Sequence, residues 1–283
     1  MEHFQLAPFI ILGLVLGAVI AWVAWRMFRR SKREKAFNRR FPEAWIRILE
    51  RNVPLYRALP KALRSQLHGH VNVFLEEKTF VGCGGLQIRD EIKVTVAAQA
   101  CMLLLNRITD YYPGFTTILV YPDTYVAREV MTEGMLETVE EHARAGESWH
   151  RGPVVLSWED VLRSADGEFT GENVVLHEFA HKLDEENERL DGLPVLGDRG
   201  QYNSWARVLK SEFESLKESI ERDEPTILDD YGAESPSEFF AVATETFFER
   251  PRDMAAHHPQ LYEQLRRFYS VDPASWSEQE KDR

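Results

Sequence analysis

An α+β fold, mainly helical with a small sheet and preceded by one transmembrane helix, is predicted by three observations on this 283-residue chain. Two short runs, Thr-Ile-Leu-Val-Tyr at 117–121 and Pro-Val-Val-Leu-Ser at 153–157, have the length and β-branched content of buried strands. Longer segments with apolar residues at helical spacing surround them, most lying after the second strand. Few strands followed by many helices imply a small sheet packed on helices. The third observation is the uncharged run Leu6–Trp25, about 20 residues and so long enough for a bilayer core at roughly 1.5 Å per residue.

That run differs from a cleaved signal peptide, because Met1–Gln5 contains Glu2 and no Lys or Arg, and the basic residues follow instead of leading. Arg26, Arg29, Arg30, Lys32, Arg33, Lys35, Arg39 and Arg40 are opposed only by Glu34. The positive-inside rule then predicts a single pass through the inner (cytoplasmic) membrane, with the N-terminus out and everything after residue 26 in the cytoplasm. Trp22 and Trp25 suit the cytoplasmic interface, and Gly13 and Gly17 form a GxxxG pattern of low specificity. The expected organisation is an anchor at 1–28, a basic linker at 29–41, one domain at 42–276 and a short tail at 277–283.

The chain carries −12 overall; a sum of +7 over 26–40 and −1 from Glu2 leaves −18 for the remainder. So acidic a domain is not built to hold nucleic acid by general electrostatics, and the basic run reads as a topology signal that also meets anionic headgroups. Cys83 and Cys101 make no disulfide framework, in keeping with a cytoplasmic domain; Cys83, between Gly82 and Gly84, reads as a tight turn or bulge and not as a nucleophile, since nothing marks a partner base.

Within the domain, helices are expected at 42–75, at 91–109 in an Ala- and Leu-rich stretch, and at 158–164, 172–186, 202–221, 236–249 and 258–269. Gly192, Gly197 and Gly200 mark a polar loop that either borders a cleft or simply turns. The strand at 153–157 is either an ordinary core strand or an edge able to hold an extended peptide.

The segment 172–186 carries the chemistry. It reads His177-Glu178-Phe179-Ala180-His181, and helical periodicity stacks the two histidines one turn apart on one face, where two imidazoles can grip one Zn²⁺. Glu178 projects from the same turn, placed to act as a base on water without ligating the ion. Val174, Val175 and Leu176 lead in, Phe179, Ala180 and Leu183 continue the apolar surface, and Thr170 or Asn173 caps the start. Asp184 either orients an imidazole or simply ends the helix.

Two histidines leave zinc one protein ligand short of an open catalytic site. The third and sixth positions after His181 are Asp184 and Asn187, so the familiar local donor is absent and the ligand must come from another helix. Glu212, Glu214, Glu238, Glu245, His257 and His258 are the candidates. Glu212 and Glu214 lie in a charged run typical of a solvated helix, and the His pair precedes Pro259. Glu238 ranks first, because Phe239, Phe240, Ala241, Val242, Phe247 and Phe248 surround it and a carboxylate in such company needs a cation. Pro236, with Ser235 or Ser237, makes a helix start there, and Glu245 shares the Glu238 face as a partner for a ligand.

Together with FVGCGGL at 80–86, AAQAC at 97–101, GPVVLSW at 152–158 and YGAESPSEFFAV at 231–242, the VVLHEFAHKLD segment resembles the zinc peptidases of the Mlc titration factor A type, whose site is similar to that of anthrax lethal factor. The resemblance covers roughly residues 41–276. It implies a zincin-like metallopeptidase domain with one Zn²⁺ per chain held by His177, His181 and Glu238, with Glu178 catalytic and Tyr231 facing the reaction centre. It also implies a peptide or protein substrate, cleaved by an aminopeptidase or an endopeptidase, and capture of a sugar-responsive transcription repressor. The apolar N-terminus departs from the soluble members of that family.

Overall fold

The computed structural model describes residues 7–123, 152–164 and 171–278, so residues 1–6, Thr170 and the chain beyond 278 lie outside it. Two units divide at residue 40. In the first, helix α1 (Ala7–Phe37) is long and apolar enough to cross a membrane, with Ile10, Leu14, Trp22 and Met27 among its exposed side chains. The segment expected as a basic linker is helical as far as Phe37, because nothing from Arg29 to Lys35 breaks a helix and each of these residues tolerates one. Arg26 and Arg29 lie over the Trp22 and Trp25 rings at 5.5 and 5.1 Å.

The second unit is α+β. The segment expected as one helix over 42–75 is three: α2 (Glu43–Asn52), α3 (Pro54–Ala58) and α4 (Lys61–Glu77). Pro54 and the Leu59-Pro60 pair interrupt it, since proline cannot donate and forces the residue before it out of the helical region. Strand β1 (Thr79–Gly82) follows; the sequence reading placed only a turn there. Helix α5 (Asp90–Met102) ends seven residues before the expected 109, the chain turning through Leu103 to a left-handed Asn106. Strands β2 (Thr117–Tyr121) and β3 (Val154–Ser157) complete a parallel sheet of order β1-β2-β3, pairing Val81 with Leu119 and Leu119 with Val155. Val154 and Leu156 of β3 are core residues, and among the described residues β3 pairs with β2 alone, so it is both core strand and sheet edge.

Helices α6 (Trp158–Arg163), α7 (Val174–Asp184), α8 (Arg199–Glu221) and α9 (Pro236–Glu249) follow. The expected 258–269 helix is α11 (Pro259–Tyr269), preceded by the unforeseen α10 (Pro251–His257). Helix α7 lies between α9 and α5 with β3 beside it. Its inward anchor is Phe179, fully buried, whose ring meets Tyr112, Phe74 and Phe115 at centroid distances of 4.9, 5.7 and 5.8 Å. Helix α9 is gripped by an aromatic cluster: Phe240 on Trp205 at 5.9 Å, Phe247 on Tyr262 at 5.1 Å, Phe248 on Tyr269 at 5.1 Å. Aromatic contacts of this kind fix two helices with polar faces turned toward each other, which apolar packing alone would not favour.

Gly192, in the loop after α7, closes the approach of α7 to α9 and is structural. Its φ of +72° is one that side chains rarely adopt, and a Cβ there would lie 2.4 Å from the Pro236 carbonyl oxygen. Cys83 is in the expected turn, its N–H donating to Val120, with Gly84 at φ +57°; Cys101 is buried, and both cysteines are free.

Candidate metal centre

Asn173 is the N-cap of α7: its Oδ1 accepts the Leu176 N–H at 3.0 Å. Ser235 caps α9 in the same way, accepting the Glu238 N–H at 3.2 Å, with Pro236 at the first turn. Both caps are near the centre they serve. Capping α7 at 173 sets His177 and His181 on the face toward α9, and capping α9 at 235 turns Glu238 in the first turn toward them.

Three atoms converge there. His177 Nε2 is 3.0 Å from Glu238 Oε2, His181 Nε2 is 3.2 Å from the same oxygen, and the two Nε2 atoms are 3.1 Å apart. His177, His181 and Glu238 form the sole group of three or more metal-ligating side chains among the described residues. The other ring nitrogens explain why the meeting is of acceptors. His177 Nδ1 donates to Glu245 Oε1 at 2.7 Å, since a carboxylate can only accept. Ser237 donates its hydroxyl to Asp184 Oδ2 at 3.3 Å, so at 3.0 Å its oxygen accepts from His181 Nδ1. With both Nδ1 atoms committed as donors, the two Nε2 atoms are the ring nitrogens left to face the Glu238 carboxylate.

Bare acceptors at this separation repel unless a positive charge sits among them. Burial lowers the His177 pKa, yet its bonds to Glu238 and Glu245 outweigh that and hold it at about 10. Burial raises Glu238, yet the two imidazoles outweigh that and hold it at about 2. The centre favours a cation, whether proton or metal. Tetrahedral zinc with bonds of about 2.0–2.1 Å places its ligand atoms about 3.3 Å apart, close to the observed edges, and two His with one Glu is a zinc donor set. The residues present fit the ion.

Glu178 is half-buried on α7, in the turn that carries both histidines. Tyr231 lies in a 3₁₀ turn (Asp230–Ala233) held by Asp229, whose side chain accepts the Tyr231 N–H at 2.8 Å. Its ring is 5.9 Å from the His177 ring, and it is 47% exposed, so the phenol borders the centre and meets solvent. Gly232 packs this turn on α8 and α9: a Cβ would meet Leu216 and Val242 at 3.3 Å.

Asp184 ends α7 and also reaches His181, but only through Ser237. It is fully buried, and burial raises its carboxyl to about 6 against the Gly192 N–H it accepts at 2.8 Å. Sequence reasoning weighed Ser237 only as a helix start, whereas Ser235 caps and Ser237 supports the imidazole. The rejected candidates lie apart from the group: Glu212 accepts from His258 Nδ1 at 2.7 Å, Glu214 is 4.0 Å from Lys217, and His257 contacts the Asp253 carbonyl within its own helix.

The family model for the glucose-regulated metallo-peptidase M90 matches residues 25–270. An uncharacterized protein of Synechocystis sp. is 38% identical over 272 residues, covering 93% of this chain and 97% of its own length. Mlc titration factor A of Escherichia coli O7:K1 is 31% identical over 226 residues, 78% of this chain and 84% of its own, and its Shigella flexneri counterpart is 30% identical over the same length.

Proposed function

This chain belongs to the glucose-regulated metallo-peptidase M90 family, and from that premise we propose that it is a zinc-dependent peptidase with Glu178 as its general base. The observation that carries the reading is the meeting of two imidazole Nε2 atoms and one carboxylate oxygen, with Glu178 on the same helical turn as both histidines. His177, His181 and Glu238 would hold one Zn²⁺, which supplies a Lewis acid that lowers the pKa of water and polarises a peptide carbonyl. Glu178 takes the proton from the attacking water and delivers it to the leaving nitrogen. The Tyr231 hydroxyl donates to the oxygen that becomes negative as the carbonyl is attacked. Glu245 and Ser237 keep each imidazole in the tautomer with Nε2 free.

Turnover of an unstructured protein by the purified chain tests the reading: it should stop with a chelator and return with zinc. Turnover that survives complete metal removal contradicts it. Tyr231→Phe should keep zinc and lower kcat more than it raises KM, because the phenol acts on charge that develops only in the transition state. A change confined to KM would make Tyr231 a substrate-positioning group.

A second reading is favoured by the Escherichia coli and Shigella flexneri relatives, whose name is Mlc titration factor A. Capture of a sugar-responsive repressor is compatible with the same fold, and a Glu178→Gln chain that still binds such a partner would separate capture from hydrolysis.

Helix α1 is the anchor in this account, inserted with its short N-terminus outside, uncleaved, and the zinc domain in the cytoplasm. A reporter fused after Arg283 should be active only in forms that work in the cytoplasm. Activity confined to a periplasm-specific reporter reverses the orientation and removes the cytoplasmic substrate.

A further inference from the structure

Glu249 is a buried carboxylate for which the chemistry above has no use. It is 7% exposed, one helical turn beyond Glu245 on the same face of α9, and burial raises its pKa against the N–H bonds from Asn173 and Gly171, which favour the ionised form that accepts both. Two carboxylates stacked in a buried helix face are costly, and an apolar residue at 249 would pack there at less expense. What they hold is the start of α7. Glu249 Oε1 accepts the Asn173 side-chain N–H at 2.9 Å, and its Oε2 accepts the Gly171 N–H at 3.1 Å. Glu245 Oε2 accepts the Asn173 backbone N–H, while its Oε1 takes His177 Nδ1. Gly171, at φ +88°, bends the chain so that both N–H groups aim at α9.

An asparagine amide can be turned two ways, and only one of them caps a helix. With Nδ2 committed to a carboxylate, Oδ1 must face the Leu176 N–H; the reverse orientation would set oxygen against Glu249 and N–H against N–H. We infer that Glu249 is a positioning residue of the metal centre: by orienting Asn173 it sets the register of α7 and the alignment of Glu245 on His177. This rests on the reading of the centre as a metal site.

The experiment measures zinc affinity by chelator competition in the full chain for the parent, Glu249→Gln, Asn173→Ala and the double variant. Glu249→Gln places an amide where two donors need acceptors, so zinc affinity should fall about 10–100-fold, with activity at least partly restored by excess zinc. The double variant should be no weaker than the worse single one, because both changes break one linkage. Unchanged affinity in Glu249→Gln, or losses that add in full, overturns the inference while leaving the metal site standing; a parent chain that binds no zinc overturns both. Where a variant fails to fold, the zinc-loaded parent still decides the matter by magnetic resonance. The Asn173 side-chain amide should be protected from exchange and shifted downfield, and a freely exchanging amide overturns the inference.

Discussion

The Glu178→Gln chain is expected to hold one zinc as the parent does and to turn peptides over at least about 100-fold more slowly. Glutamine has nearly the shape of glutamate, so α7 and its packing through Phe179 are undisturbed. Glu178 is not among the three side chains whose ligand atoms converge, so the metal should stay. What is lost is the carboxylate on that turn, outside the three converging side chains, that accepts a proton from water and gives it up again, because an amide does neither at neutral pH. Metal content by elemental analysis and kcat on one peptide, measured on the same preparation, separate the two roles. Full zinc with unchanged turnover would contradict the hydrolytic mechanism at its base.

The second large effect concerns the third ligand. Glu238→Ala should abolish stoichiometric zinc, as should His177→Ala or His181→Ala, because each leaves two protein donors where an open zinc site needs three. Glu245→Ala should keep the metal at reduced affinity, on the order of 10–100-fold, since it removes only the partner that fixes the His177 ring. The geometry sets this order: Glu238 Oε2 is within 3.2 Å of both Nε2 atoms, whereas Glu245 meets the opposite nitrogen of His177. Equilibrium dialysis with elemental analysis reads the difference. Zinc retained by Glu238→Ala and lost by Glu245→Ala would exchange their roles.

The candidate site was legible as far as helical periodicity reaches. His177, Glu178 and His181 sit within one turn, so spacing alone places them together, and Glu238 was marked by a charge among phenylalanines that only a cation would relieve. Tyr231 left no such mark: it sits in a four-residue 3₁₀ turn without periodicity, and the resemblance alone pointed to it. Asn173 was read as a cap and Ser237 as a helix start, but the bonds of Asn173 to Glu249 and of Ser237 to His181 join residues 76 and 56 positions apart across α7 and α9, and neither residue type nor spacing pairs them.

The fold divides in the same way. The α+β class, β2, β3 and α9 follow from composition and periodicity. The breaks at Pro54 and Pro60 went unread, although proline marks both, because helical apolar spacing resumes on either side of each. Strand β1 escaped because its four residues alternate between exposed and half-buried and end in glycine, so its place depends on pairing with β2.

Diffraction at the zinc absorption edge from crystals of the zinc-loaded chain tests the central claim most directly. One anomalous peak is expected, about 2.0–2.1 Å from His177 Nε2, His181 Nε2 and Glu238 Oε2. A peak at the Glu212–His258 pair instead, or none in the chain, would contradict it.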